Sequence, residues 1–358
     1  MQTIVEQLDK ALERWQQLQP LSKYDEEKWS RRFSVDFNYN SNHIEGNTLT
    51  YGQTELLLLF GKVVQEAEMK DLEEMKASNV GLKIVTEEAT MSAHPLTETF
   101  IRQLHKTLLR DDYEVHRNLP GGVTTSYTIH AGQYKTRPNS VITRYGDRFD
   151  YASPEETPAL MADLVAWYRE AEARKTLSPV ELAVIFHYRY IRIHPFEDGN
   201  GRMARLLVNF ILARHGYPMI VVRSRNKQGY LEALHQADLL VGPIPTDGAH
   251  ATLKQIRPFH DYMVRLMTTE INGYVDFLSE HDQTVWWFDG ERVTFNSPTI
   301  PLLLDEMRSN PNITQAELVA LLGINRSAVQ RNLARLLAKG YILQNHANAK
   351  WYVVITRS

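Results

Sequence analysis

The chain has 358 residues, 43% hydrophobic and 23% charged, a balance that fits a soluble globular protein of two or three domains and argues against disorder. It contains no cysteine, which excludes disulfides, a thiol nucleophile and cysteine-ligated zinc and is compatible with a reducing cytoplasm, where we expect it. The formal net charge of −3 is uneven: residues 295–358 hold seven Lys and Arg against three acids, a net +4, so the preceding 294 residues carry −7. A basic tail on an acidic body predicts two jobs.

The opening MQTIVEQLDKALERW has acids and no continuous apolar stretch, so no signal peptide is expected. The longest apolar run, Leu56 to Phe60, is too short to span a bilayer, and no membrane partner is expected. Residues 1–92 read as helices: Leu8, Ala11, Leu12, Trp15 and Leu18 recur at helical spacing, and Gln53 to Thr86 does likewise. Ala93-His94-Pro95 breaks the pattern, and Thr97 caps a helix through Ile101, Leu104 and Leu108. From Leu119 to Asp150 the chain turns to Gly, Pro, Thr, Ser and Tyr, with short β-branched pieces such as Val141-Ile142-Thr143, which reads as a loop or hairpin. Helices resume over Pro154 to Glu172, Ser178 to Ile193 and Arg202 to Arg214, whereas the Gly- and Pro-rich Val241 to His250 reads as a loop and Asp289-Gly290 as a turn. No internal repeat is present.

Chemistry concentrates in His194-Pro195-Phe196-Glu197-Asp198-Gly199-Asn200-Gly201-Arg202-Met203-Ala204-Arg205, set between apolar helices. Pro195 stops the first helix. Gly199 and Gly201 are expected to take positive φ and let a ligand approach the backbone. The turn ends at a helix N-terminus, where free N–H groups and the dipole favour an anion. Arg202 and Arg205 lie three apart, on one face, and two guanidinium forks above such a nest suit a polyphosphate. Asp198 offers one hard oxygen, which is what magnesium typically takes from protein when phosphates supply the rest. His194 is suited to general-base work near neutral pH, and Phe196 is expected to peg the loop to the core. A lone Asp-Gly-Asn-Gly is ordinarily a turn; a base, a metal ligand, two glycines and two arginines within twelve residues are a site.

This run resembles the signature of the Fic (Fic/Doc) family, His-x-Phe-x-Asp/Glu-Gly-Asn-Gly-Arg-x-x-Arg, with every fixed position present. The likeness extends over about residues 1–280. It implies a mostly α fold, a helical core with a β-hairpin flap, and most often transfer of AMP from ATP to a Ser, Thr or Tyr hydroxyl of a target protein. By resemblance, His194 is the base and Asp198 holds Mg2+ between the α- and β-phosphates. Gly199, Asn200, Gly201 and Arg202 then cradle those phosphates, and Arg205 meets the γ-phosphate. Gly132 to Thr143 looks like the flap, with Val141, Ile142 and Thr143 aligning the target by strand addition. Tyr230 sits where the family often places an adenine-pocket tyrosine; many members carry two adjacent tyrosines, whereas this chain has Gly229-Tyr230. Upstream, Ser41-Asn42-His43-Ile44-Glu45-Gly46 resembles the family's inhibitory motif. Ser41 and Glu45 share a helix face, and a carboxylate delivered to Arg205 would take the arginine that the γ-phosphate needs.

Thr314 to Ile342 reads as two helices. Thr314 and Glu317 form a capping box, Leu318, Leu321 and Leu322 one apolar face, and Gly323 a turn. A second helix, about Ser327 to Lys339, buries Val329, Leu333, Leu336 and Leu337 and leaves Arg326, Gln330, Arg331 and Arg335 outside, before a hairpin over Tyr341 to Ile355. This resembles a winged helix-turn-helix whose arginines would meet DNA through residues 314–355; such modules also serve protein contacts. The expected organisation is an N-terminal helical region 1–92, a catalytic core 93–290 and a winged-helix domain 295–358. Self-modification and a homodimer are compatible with it. Two other readings stay open: a DNA-bound regulator whose core senses nucleotide, and an enzyme of the same fold that removes AMP or transfers another group.

Overall fold

The computed structural model describes all residues except 1, 92, 119–123, 143–145, 147, 346–347 and 358. In chain order its elements are helices α1 (Ile4–Gln17), α2 (Lys23–Ile44), α3 (Tyr51–Phe60), α4 (Met69–Thr90) and α5 (Glu98–Leu109), strands β1 (Tyr113–Asn118), β2 (Thr124–Ile129), β3 (Ser140–Ile142) and β4 (Arg148–Asp150), helices α6 (Thr157–Arg174), α7 (Pro179–Ile193), α8 (Asn200–Arg214), α9 (Lys227–Val241), α10 (Pro245–Ala249) and α11 (Arg257–Ser279), strands β5 (Trp286–Phe288) and β6 (Glu291–Val293), helices α12 (Thr299–Ser309), α13 (Gln315–Leu322) and α14 (Arg326–Ala338), and strands β7 (Ile342–Gln344), β8 (Trp351–Val353) and β9 (Thr356–Arg357). The fold is mostly helical with small antiparallel sheets, as expected.

Two compact units are assembled from separated stretches: 1–12, 40–46 and 76–268 in the first, and 13–39, 47–75 and 269–358 in the second. In the first unit α7 is the central helix. Ser178 caps it in a complete capping box with Glu181, and Pro179 opens it. It is buried around its circumference, from Phe186 and Tyr190 on one side to Arg189 and Arg192 on another, which marks an interior element. Arg192, fully buried, is tolerable there because its Nη1 donates to Tyr188 and Asp238, at 3.1 and 3.3 Å, and its Nη2 to the carbonyls of Gly242 and Ile244, at 2.9 and 3.0 Å. Those two carbonyls lie in the stretch read as a loop; the structure instead starts α10 there, with Pro245 at its first turn.

The second unit contains a winged helix-turn-helix. Its core is Trp286, Leu303, Leu304, Met307, Leu318, Val329, Leu333 and Leu336, and β7 and β8 form the wing with Leu343 opposite Tyr352. The capping box at Thr314 and the left-handed Gly323 turn stand as expected. Two apolar positions do not: Leu321 is 62% and Leu337 38% exposed, because the buried stripes run along Leu318 and along Val329, Leu333 and Leu336 and leave those side chains at the edge. Sequence reasoning also missed α12 and the sheet β6-β5-β9, whose strands of two or three residues are too short to show an alternating pattern. Among the described residues no helix is long and apolar enough to cross a membrane.

Candidate active site

The loop after α7 and the start of α8 hold the motif, all within the first unit. His194 is the C-terminal cap of α7 in left-handed conformation, φ 51° and ψ 60°, a backbone rarely taken by a non-glycine residue and common where function fixes geometry. Its ring stacks on Tyr151, centroids 3.9 Å apart and planes at 19°. Nδ1 is buried beside the Ile191 carbonyl but falls short of a well-formed hydrogen bond. Burial first, then the charge of Lys135, lower its pKa to about 3, against smaller opposing effects of the Ile191 carbonyl and Asp198, so the imidazole is neutral at pH 7.

The loop is braced from three directions. Asn200 Oδ1 accepts from Phe196 N at 3.0 Å and Asn200 Nδ2 donates to Phe196 O at 2.7 Å, closing the turn on itself. Phe196 is fully buried and stacks face to face on His105, centroids 3.7 Å apart. His105 Nδ1 accepts the Gly132 amide at 2.9 Å, which leaves the proton on Nε2 to donate to the Asp198 carbonyl at 3.0 Å; burial lowers this histidine to about 4 and keeps it neutral. From the segment before β3, Lys135 Nζ donates to Ile193 O at 3.0 Å, and Asn139 Nδ2 to the carbonyls of His194 and Phe196, at 3.3 and 2.9 Å. None of His105, Lys135, Asn139 or Tyr151 was found in the sequence: each lies 40 to 90 residues from the motif, and only Lys135 and Asn139 fell inside a stretch already singled out.

Asp198 accepts the Tyr113 hydroxyl at 2.6 Å and faces Arg202 Nη2 at 3.5 Å. Burial pushes its pKa up, but the Arg202 charge, the Tyr113 hydroxyl and the Gly199 amide outweigh it and hold the carboxylate ionised. Gly199 caps α8 with φ 76°, the positive φ expected of it. Gly201 departs from expectation: it is helical, in the first turn of α8. What glycine supplies there is space for Glu45, since a Cβ would collide with Glu45 Oε1 in its present position. The Asn200 side chain is spent on the Phe196 backbone, so it is the main chain of this residue that is left to face an anion.

Arg205, 3% exposed, donates from Nε to Ser41 Oγ at 3.0 Å, and from Nη2 to Ser41 O at 2.8 Å and Glu45 Oε1 at 2.6 Å. Ser41 and Ile44 are among the last residues of α2, whose carbonyls lack helical partners. Arg205 satisfies the first and Lys227 Nζ the second, at 2.6 Å, so two cations cap this helix end, where the dipole favours them. Ser41 and Glu45 share a face at the α2 end as their spacing predicted, and both meet Arg205 as the resemblance implied.

Tyr230 departs from the pocket-facing role expected. It is 2% exposed, and its hydroxyl bonds His187 Nε2 at 2.8 Å beneath the site. A neighbouring cleft of about 670 Å3 is lined instead by Leu231, Gln228 and Lys227 of α9, with Ile191, Tyr151 and Val141 opposite. Val141 and Ile142 lie in β3, paired antiparallel with β4, Val141 opposite Phe149; Thr143 lies outside the described residues.

Replacing Asn200 with Ala strips both bonds from the buried Phe196 amide and carbonyl. The expected loss is about 2–4 kcal/mol of unfolding free energy, read by denaturant titration; a change below about 0.5 kcal/mol shows that the loop does not depend on this closure.

Comparison with known proteins agrees with the geometry. Residues 95–212 match the Fic/DOC family model and residues 301–348 the MarR family model. The chain is 50% identical to a Fic domain containing signaling protein from Bacteroides thetaiotaomicron, covering 77% of this chain and 100% of that one with a TM-score of 0.70. It is 30% identical over 238 residues to the protein adenylyltransferase fic-1 of Caenorhabditis elegans, covering 66% of this chain and 40% of that protein; the chain thus spans well under two thirds of that relative's length. A Fic family protein from Desulfovibrio desulfuricans shares the fold over 98% of this chain, at 20% identity and a TM-score of 0.56. The chain belongs to the Fic/DOC family.

Proposed function

We propose that this protein is an adenylyltransferase that moves AMP from ATP to a Ser, Thr or Tyr hydroxyl of a target protein and that Glu45 restrains it. The observation that carries the reading is the convergence of His194, Asp198, the α8 N-terminus and Arg205 on one loop–helix junction, with the Glu45 carboxylate 2.6 Å from Arg205 Nη2. The names of its relatives support the reaction class.

The residues fit Mg2+ bound with nucleotide. Among the described residues no group of three or more His, Cys, Asp or Glu gathers for a metal, but magnesium needs only one or two carboxylates when phosphates complete its shell, and Asp198 is the ionised oxygen beside the phosphate cradle. Bound there, the ion neutralises charge on the leaving pyrophosphate. The α8 amides and Arg202 hold the α- and β-phosphates and Arg205 the γ-phosphate. His194 offers Nε2, the nitrogen opposite its buried Nδ1, to the target hydroxyl. As the hydroxyl oxygen bonds the α-phosphorus, its proton passes to His194, the bond from that phosphorus to the bridging oxygen breaks, and pyrophosphate leaves. Burial and Lys135 hold His194 neutral, and the negative triphosphate raises its basicity.

Replacing His194 with Ala is expected to abolish transfer and leave Mg2+–ATP affinity within about threefold, because the phosphates are held elsewhere. Calorimetry and a labelled-ATP assay read the two; undiminished self-modification would sink the assignment of the base.

Glu45→Gly is expected to raise adenylylation, self-modification included, by at least about tenfold, since loss of the carboxylate frees a charge-assisted partner of Arg205. Most losses of an active-site carboxylate lower activity, so a gain discriminates. Arg205→Ala in that background is expected to cancel the gain, the coupling being measured by the double variant. Wild-type activity from a folded Glu45→Gly protein means that no brake exists, and release of AMP from a modified target instead of its attachment would favour the AMP-removing alternative.

A DNA contact is favoured by one observation: α14 leaves Arg326, Arg331 and Arg335 exposed on a winged helix-turn-helix. DNA affinity of the full chain is expected to fall steeply with salt, and replacing the three arginines to reduce the salt slope by up to about 3. No binding at 50 mM salt would reassign the winged helix to protein contacts.

A further inference from the structure

We infer that Tyr151 is a positioning residue for the base: it fixes the plane of the His194 ring and supports the positive charge that ring acquires during transfer. The inference rests on the reading of His194 as the base. Three observations lead to it. First, the stack is close and nearly parallel, 3.9 Å and 19°, so one face of the imidazole is covered by the phenol ring. Second, the nitrogen that usually anchors a catalytic histidine, here Nδ1, lacks a well-formed hydrogen bond. The Ile191 carbonyl beside Nδ1 holds the ring only loosely, so packing against Tyr151 adds to what sets its angle. Third, Tyr151 is itself held. Its ring meets Phe149 edge-on at 5.3 Å, Phe149 lies under the Arg192 guanidinium at 5.0 Å, and Arg192 is the fully buried hub of α7.

The same residue lines the 670 Å3 cleft with Val141 and Leu231, so the ring that covers one face of His194 also borders that cleft. When the acceptor hydroxyl gives its proton to Nε2, the imidazole becomes a cation lying against an aromatic face. Such a face attracts a cation while leaving the neutral ring almost unaffected. The contact therefore strengthens as charge develops, which is what lowers a barrier instead of merely tightening a complex. The hydroxyl of Tyr151 has no part in this, and only the ring is required.

The test compares Tyr151→Phe, Tyr151→Trp and Tyr151→Leu in the Glu45→Gly protein, with His194→Ala beside them. Steady-state transfer gives kcat and KM for ATP, calorimetry gives Mg2+–ATP affinity, and thermal melting checks the fold. The Leu variant is expected to lose about 10- to 30-fold in kcat with KM for ATP and affinity unchanged, while Phe stays within about threefold of the parent and Trp falls between. A purely structural role predicts that Trp, the bulkiest replacement, is the most damaging and that ATP affinity falls with kcat. The inference is overturned if Leu matches Phe, if kcat loss tracks melting temperature across the three, or if Phe alone abolishes activity, which would assign the hydroxyl and not the ring. Should Leu fail to fold, the order of Phe and Trp decides. Activity surviving in His194→Ala would remove the base reading itself, a failure separable from that of Tyr151.

Discussion

Arg205 carries more of this site than any other side chain. Its guanidinium is buried in the first unit and bonded to Ser41 Oγ, Ser41 O and Glu45 Oε1. A buried charge must be partnered or it is expelled, and here the partner is a helix end that has unsatisfied carbonyls of its own. Each side solves the other's problem. The arrangement fixes three further features. Lys227 takes the neighbouring carbonyl. A side chain at position 201 would push the carboxylate aside, because Glu45 Oε1 occupies the space of its Cβ. His187, buried and then also near that charge, drops to about 3 and stays neutral, with its Nε2 bonded to the Tyr230 hydroxyl.

The loop before Arg205 follows a different principle. It is held by main-chain carbonyls and amides gripped from outside: Asn200, Asn139, His105 and Lys135 all bond its backbone. Side chains that face a ligand are thereby released from structural duty, apart from Asp198 with Tyr113 and Arg202. Preorganisation of this kind is what phosphoryl chemistry uses, since stabilisation comes from groups already aimed before charge shifts.

How much of this was legible follows from distance along the chain. His194, Asp198, Gly199 and Arg205 fall within one run of twelve residues, and Ser41 and Glu45 within one helical turn; local spacing shows their shared faces, and the resemblance joins the two segments. The winged helix showed itself through the capping box at Thr314 and the apolar stripe of α14. Long-range partners left no such trace. Nothing near Tyr151 marks it as a lid on an imidazole, and His105 reads as an ordinary helix residue until Phe196 is found stacked on it. Two residues were noticed for the wrong reason. Gly201 was read as a position of positive φ, but its backbone is helical, and the absent side chain leaves room for Glu45. Tyr230 was placed facing a nucleotide, whereas burial of its ring with Phe259 and Tyr262 outweighs any benefit of exposing it, and the next residue, Leu231, takes the cleft-facing place.

The proposed brake must be strong enough to hold and weak enough to release. A hydrogen bond to a charged group is worth about 1.5–3 kcal/mol when its partner is lost, which corresponds to roughly 10- to 150-fold in an equilibrium constant. Glu45 is 39% exposed, so solvent screening draws the value toward the lower end of that range. A triphosphate brings more negative charge to the same guanidinium than one carboxylate does, and it competes with Glu45 for that charge, whereas the two Ser41 contacts are neutral and shielded. The restraint on Arg205 is therefore divided. Ser41 keeps the guanidinium pointed and desolvated whether or not nucleotide is present, and Glu45 alone competes for its charge. In the proposed brake, that division lets the carboxylate withdraw while the Ser41 contacts keep the arginine in place.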